Sequence, residues 1–115
     1  MQVLYGSDTG LTGTGSQLFS QDGSIAGEPE NGDGFGAPLT AGQLGKSGHD
    51  DLAVGVRSEV TGQYRTGGVN IIYGSAAGLT SKGNQFINHN TRGIVEPIGG
   101  GGSYGRALAV GNFGG

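Results

Sequence analysis

The chain has 115 residues, 28 of them glycine, no cysteine, and a formal net charge of −3. That length allows one domain at most. Lack of cysteine excludes a disulfide scaffold, a zinc–thiolate site and a thiol nucleophile, lack of a basic run removes the positive stripe that nucleic acid needs, and no apolar stretch approaches the roughly 20 residues of a membrane-spanning helix.

Glycine makes up close to a quarter of the chain, against a usual share of about 7%. It has no period of three and falls between short apolar runs, as in tight turns joining short strands. No window keeps apolar residues at helical spacing without a glycine inside it. Met1 runs directly into a strand pattern, with no leader-like segment before it. The predicted strands are Gln2–Tyr5, Gln17–Ser20, Phe35–Gln43, Asp51–Val56, Val69–Tyr73, Asn84–Asn88 and Tyr104–Asn112. Ser7–Ser16 and Ser75–Gly83 are rich in Gly, Ser and Thr and read as loops. Gln21–Gly34 and Thr91–Ser103 read as longer connections, the second containing four consecutive glycines at 99–102. The sequence therefore predicts an all-β protein. Asp51–Val56 and Val69–Tyr73 are nearly continuous apolar runs, as in strands buried on both faces.

The chain also repeats itself. Tyr5-Gly6-Ser7 matches Tyr73-Gly74-Ser75, Gly10-Leu11-Thr12 matches Gly78-Leu79-Thr80, and Gly15 and Gln17 match Gly83 and Gln85, all at one constant offset. Phe35-Gly36, Leu39 and Gly42 match Tyr104-Gly105, Leu108 and Gly111 at an offset longer by one position. Such repeats mark arrays of like units, each too small to bury its own core. Repeat-equivalent aromatics, here Tyr5 with Tyr73 and Phe35 with Tyr104, are expected between units.

Few residues suggest chemistry. His49 and His89 stand in non-equivalent loops, with no acidic partner at a catalytic spacing. Ser7 and Ser75 lie in Tyr-Gly-Ser and not in the elbow of hydrolases, so a bond to turn backbone is their expected role. Glu28, Glu30 and Asp33 form an acidic loop, read as a solvated loop against an adventitious cation site. Gly13-Thr14-Gly15 lacks the lysine and helix of a phosphate loop. Tyr64 and Arg65, in the hairpin Thr61–Gly67, are either a contact spot for a partner or an ordinary loop. No catalytic set emerges, and the chain reads as a non-enzyme.

Phe35-Gly36-Ala37-Pro38, then Ala41-Gly42, Asp51-Leu52-Ala53-Val54-Gly55, Val69 through Tyr73-Gly74-Ser75, and Gly78-Leu79-Thr80 together resemble the FG-GAP repeat over essentially the whole chain. That repeat builds the β-propeller of integrin alpha subunits and of many secreted bacterial proteins. The resemblance implies antiparallel four-stranded blades: residues 1–34 ending one blade, 35–103 a full blade, and 104–115 starting another. It implies an extracellular or cell-surface location and a binding or assembly scaffold for a protein or glycan ligand. An accessory propeller of a secreted hydrolase and an excised or engineered fragment are the alternatives.

The family carries calcium on a loop of carboxylates at alternate positions, because Ca²⁺ takes six to eight oxygens. The matching positions here are Gln43, Gly45, Ser47 and Asp51, with Lys46 among them. One carboxylate in place of three or four predicts a plain tight turn and no cofactor. About two units cannot close a ring, so a homo-oligomer joined head-to-tail is expected, three or four copies giving six to eight blades.

Overall fold

The computed structural model describes residues 1–21, 24–26, 34–45, 47–56, 60–61, 64–65, 67–88, 91–92 and 108–111. All regular structure among them is β. The strands are β1 Gln2–Ser7, β2 Gly10–Leu18, β3 Phe35–Gly42, β4 Asp51–Val56, β5 Val60–Thr61, β6 Tyr64–Arg65, β7 Gly68–Ser75 and β8 Gly78–Ile87. β3, β4, β7 and β8 form one antiparallel sheet in that order, with the β5–β6 ribbon between β4 and β7 in the chain. β1 and β2 form a separate hairpin.

Two segments expected to be loops, Ser7–Ser16 and Ser75–Gly83, are mostly strand. Only Asp8-Thr9 and Ala76-Ala77 turn. Gly10 and Gly78 close these turns at φ 112° and 109°, where a side chain would be strained. Ser7 Oγ donates to the Gly10 carbonyl and Ser75 Oγ to the Gly78 carbonyl, both at 2.7 Å. A two-residue turn leaves the rest of each segment free to pair.

The repeat is a repeat of register. Val3 pairs Gln17, Tyr5 pairs Thr12 and Ser7 pairs Gly10. At the equivalent positions of the second copy, Ile71 pairs Gln85, Tyr73 pairs Thr80 and Ser75 pairs Gly78. In each hairpin the segment 13–16 or 81–84 faces a single residue, Leu4 or Ile72, across the ladder. Thr12 Oγ1 and Thr80 Oγ1 each accept the N–H two residues on, at 3.1 Å. Of the strand expected at Tyr104–Asn112, only 108–111 are described, and they are not strand.

The sheet is apolar on both faces, as its continuous apolar strands require. Leu52, Val54 and Ile72 point to one side, with Phe19 and Ile25 completing a buried cluster and Met1, Val3, Phe35 and Leu79 around it. Ala53, Val69 and Ile71 point to the other, beside Tyr73, Ile87 and Leu108. The β1–β2 hairpin and the residues flanking it lie over the first side and supply Met1, Val3 and Phe19.

The chain after β2 folds back onto the same side, where a varying connection was expected. Ile25 inserts into the core, 1% exposed. Its flanks are tied down by amides. The fully buried Asn70 donates to the Ala26 carbonyl at 2.7 Å and accepts from Gln21 at 3.1 Å. Asn84 accepts the Ala26 N–H at 2.8 Å and donates to the Ser24 carbonyl at 2.7 Å. A buried amide with partners on both ends avoids the penalty of an unsatisfied polar group.

Candidate functional site

Besides the amides that hold the flanks of Ile25, two places among the described residues gather polar groups from different elements. The first is the loop between β3 and β4, where the calcium-like positions lie. Asp51 opens β4 and is 1% exposed. Its Oδ2 accepts the Leu44 N–H at 2.8 Å and the Gly45 N–H at 2.6 Å, and its Oδ1 accepts the Gly74 N–H at 2.9 Å. The carboxylate thus binds its own loop to β7. Gly74 is needed here because an added Cβ would run into the Asp50 carbonyl. Burial pushes the Asp51 pKa up, but the backbone donors Gly74, Gly45 and Leu44, helped by the charge of His49, outweigh it and hold the pKa below its ordinary value.

The remaining positions do not converge with Asp51 on a cation. Gly45 has no side-chain oxygen and gives its N–H to Asp51. Ser47 Oγ donates to the Gly74 carbonyl at 3.4 Å and accepts the His49 N–H at 3.2 Å. The Gln43 amide donates to the Gly48 carbonyl at 3.4 Å. Among the described residues no three His, Cys, Asp or Glu gather where they could share a metal. These residues do not fit calcium, since three N–H groups already occupy the one carboxylate. Calcium held below its Kd contributes less than about 0.4 kcal/mol. Millimolar calcium over chelator is therefore expected to move Tm by no more than about 3 °C; a rise far beyond that in a calorimeter would overturn this.

The second place is the contact between hairpin and sheet. Tyr5 on β1 and Gln17 on β2 are hydrogen-bonded side by side, Tyr5 Oη donating to Gln17 Oε1. Together they grip one residue of the other unit. Tyr5 Oη accepts the Leu79 N–H at 2.9 Å, and Gln17 Nε2 donates to the Leu79 carbonyl at 2.8 Å. This clasp satisfies both backbone groups of Leu79 on its β1–β2 side. It requires bare backbone beside it, and a Cβ on Gly78 would sit 3.0 Å from Tyr5 Oη and 3.1 Å from Gln17 Oε1.

Sequence reasoning misses this clasp, although both residues stand in the repeat. Their common signal is recurrence, as Tyr5 with Tyr73 and Gln17 with Gln85. The target is main chain and has no side-chain signature.

The other candidates do not assemble into a reactive set among the described residues. The Ser7 and Ser75 hydroxyls are engaged by their turns. His49 is exposed, and the nearby carboxylate it stabilises is the backbone-bound Asp51. Tyr64 and Arg65 form β6, paired with Thr61 and Val60; the contact expected of their side chains lies outside the described residues, as do His89, Glu28, Glu30 and Asp33. Among the described residues no helix is long and apolar enough to cross a membrane. Comparison of this chain with protein families, with curated proteins and with solved structures finds no match.

Proposed function

We propose that this chain is a non-enzymatic β-propeller module of the FG-GAP kind. It works as a binding or assembly scaffold outside the cell and builds a ring head-to-tail with further copies. One observation supports the reading: two hairpins of identical register, one from each copy of the repeat, pack against one shared apolar cluster. Face-to-face stacking of like antiparallel sheets is how a propeller is built. A sheet apolar on both faces is also what such a layer needs, since it has a neighbour on each side. The extracellular location and the class of ligand, a protein or a glycan, rest on the resemblance.

Native mass tests the reading. Light scattering at micromolar concentration is expected to return a multiple of the 11.4 kDa chain. A folded, stable species of 11.4 kDa across the concentration range would refute it.

A further inference from the structure

The clasp has two halves, and the chain contains both of them twice. Tyr5 and Gln17 grip; Leu79 and its neighbour Gly78 are gripped. Their repeat equivalents are Tyr73 and Gln85 for the first half, and Leu11 and Gly10 for the second. The shared register puts Tyr73 and Gln85 on their strands as Tyr5 and Gln17 stand on theirs. Among the described residues, neither Tyr73 nor Gln85 side chain makes a hydrogen bond, and Gln85 is exposed. The gripped half is equally open on the first hairpin. Leu11 is 76% exposed, and a Cβ on Gly10 would meet nothing within 4 Å.

The apolar side chains point the same way. Leu4, Leu11 and Leu18 are exposed, the first by 46% and the last by 72%. Their repeat equivalents are Ile72, Leu79 and Phe86. Ile72 is fully buried, Leu79 packs against the core and Phe86 is half-buried. Matching backbone carries large apolar residues in both hairpins, and only the second has them covered. The cover over the second includes β1–β2, whose face bears Val3, Tyr5 and Gln17. By the repeat, the matching face is that of β7–β8; Ile71 is buried there with Leu108 packed beside its cluster, which leaves the half-buried Tyr73 and the exposed Gln85 to receive a partner.

Resting on the propeller reading, we propose that the β1–β2 hairpin docks on the β7–β8 hairpin of a second copy of this chain. Tyr73 and Gln85 of that copy clasp the backbone of Leu11, as Tyr5 and Gln17 clasp Leu79 within one chain. Leu4, Leu11 and Leu18 are covered at this joint. The occupant is another copy because the complement of the open hairpin is already present in the sequence, in the right register. The two halves lie on different hairpins, so the joint is heterologous and propagates.

Two variants break opposite halves. Leu11→Asp places a charge on the gripped hairpin, at a position exposed within one chain. Tyr73→Phe with Gln85→Ala removes the gripping groups and keeps the aromatic ring. Sedimentation equilibrium on each, with circular dichroism to confirm the fold, is expected to show association weakened at least thirtyfold, about 2 kcal/mol. A one-to-one mixture is expected to stop at a heterodimer, because one intact joint remains. Association unchanged by Leu11→Asp, or a mixture that stays monomeric while the wild type associates, would sink this joint and leave the scaffold reading standing. A wild type that stays a folded monomer would sink both.

Discussion

Replacing Asp51 by asparagine is expected to cost about 3 kcal/mol of folding stability. The carboxylate accepts three backbone N–H groups through two oxygens, from Leu44, Gly45 and Gly74, in a site closed to solvent. An amide has one acceptor oxygen. Whichever way it is turned, its NH₂ faces at least one N–H, leaving a buried donor without a partner. Hydrogen bonds to a charged group contribute more than neutral ones, and orphaned buried donors carry the full desolvation penalty. Urea titration at fixed chain concentration measures this; a loss below about 1 kcal/mol would remove Asp51 as the anchor of the loop.

The same residue sets a pH dependence. Its pKa is lower in the folded chain than in the unfolded one, so the unfolded state takes up the proton more readily. The contribution is therefore fully present above the ordinary value of 3.8 and is lost as pH falls through the folded value. Stability is expected to be flat with respect to Asp51 between about pH 7 and pH 5, and to decline below 3.8. That acid-side decline should shrink in Asp51→Asn, which has no such proton to bind. An equal decline in the variant would assign it to other carboxylates.

The second large effect is expected from a pair of truncations at repeat-equivalent positions. Ile72→Ala removes a fully buried side chain packed among Phe19, Ile25 and Val54. Loss of a large aliphatic group from a closed core costs about 2–5 kcal/mol, according to how far the site collapses. Leu4→Ala, at the same place in the ladder of the first hairpin, removes a side chain that is 46% exposed. Its cost to the fold is expected below about 1 kcal/mol, with its main effect on association. Equal losses in denaturant would contradict the difference in cover between the two hairpins.

Much of the architecture is legible in the residues. The all-β character follows from glycine-punctuated apolar runs, and the two-sided burial of β4 and β7 from Asp51–Val56 and Val69–Tyr73 having no polar alternation. The repeat is visible as text, and its register follows it residue for residue. What misleads is composition. Thr12 to Ser16 and Thr80 to Gly83 read as loop because glycine interrupts them and no apolar residue alternates there. Thr12 and Thr80 pair with Tyr5 and Tyr73 through the main chain, which composition does not report, and the residues after them stay extended while leaving the ladder, with Gly15 and Gly83 at positive φ. Ile25 is hidden for another reason: a single large apolar residue in a run of Gly, Ser and Ala has no period, and Gln21, Asn70 and Asn84 hold its flanks only through tertiary contacts. Asp51 stands out in the sequence as the one carboxylate at the matching positions of a calcium-like loop. Its actual ligands are N–H groups, which every residue but proline carries.

The excursions at 13–16 and 81–84 have a consequence for misassembly. Among the described sheets, β2 and β8 are outer strands, and an outer strand is a template on which a foreign chain can add and begin a fibril. Each excursion sits on one of these strands, with a glycine that turns the backbone away from its line, and the exposed Lys82 adds a charge to the second. An incoming strand could match only the few rungs on either side before losing register. Growth of a continuous cross-β ladder is thereby frustrated along β2 and β8.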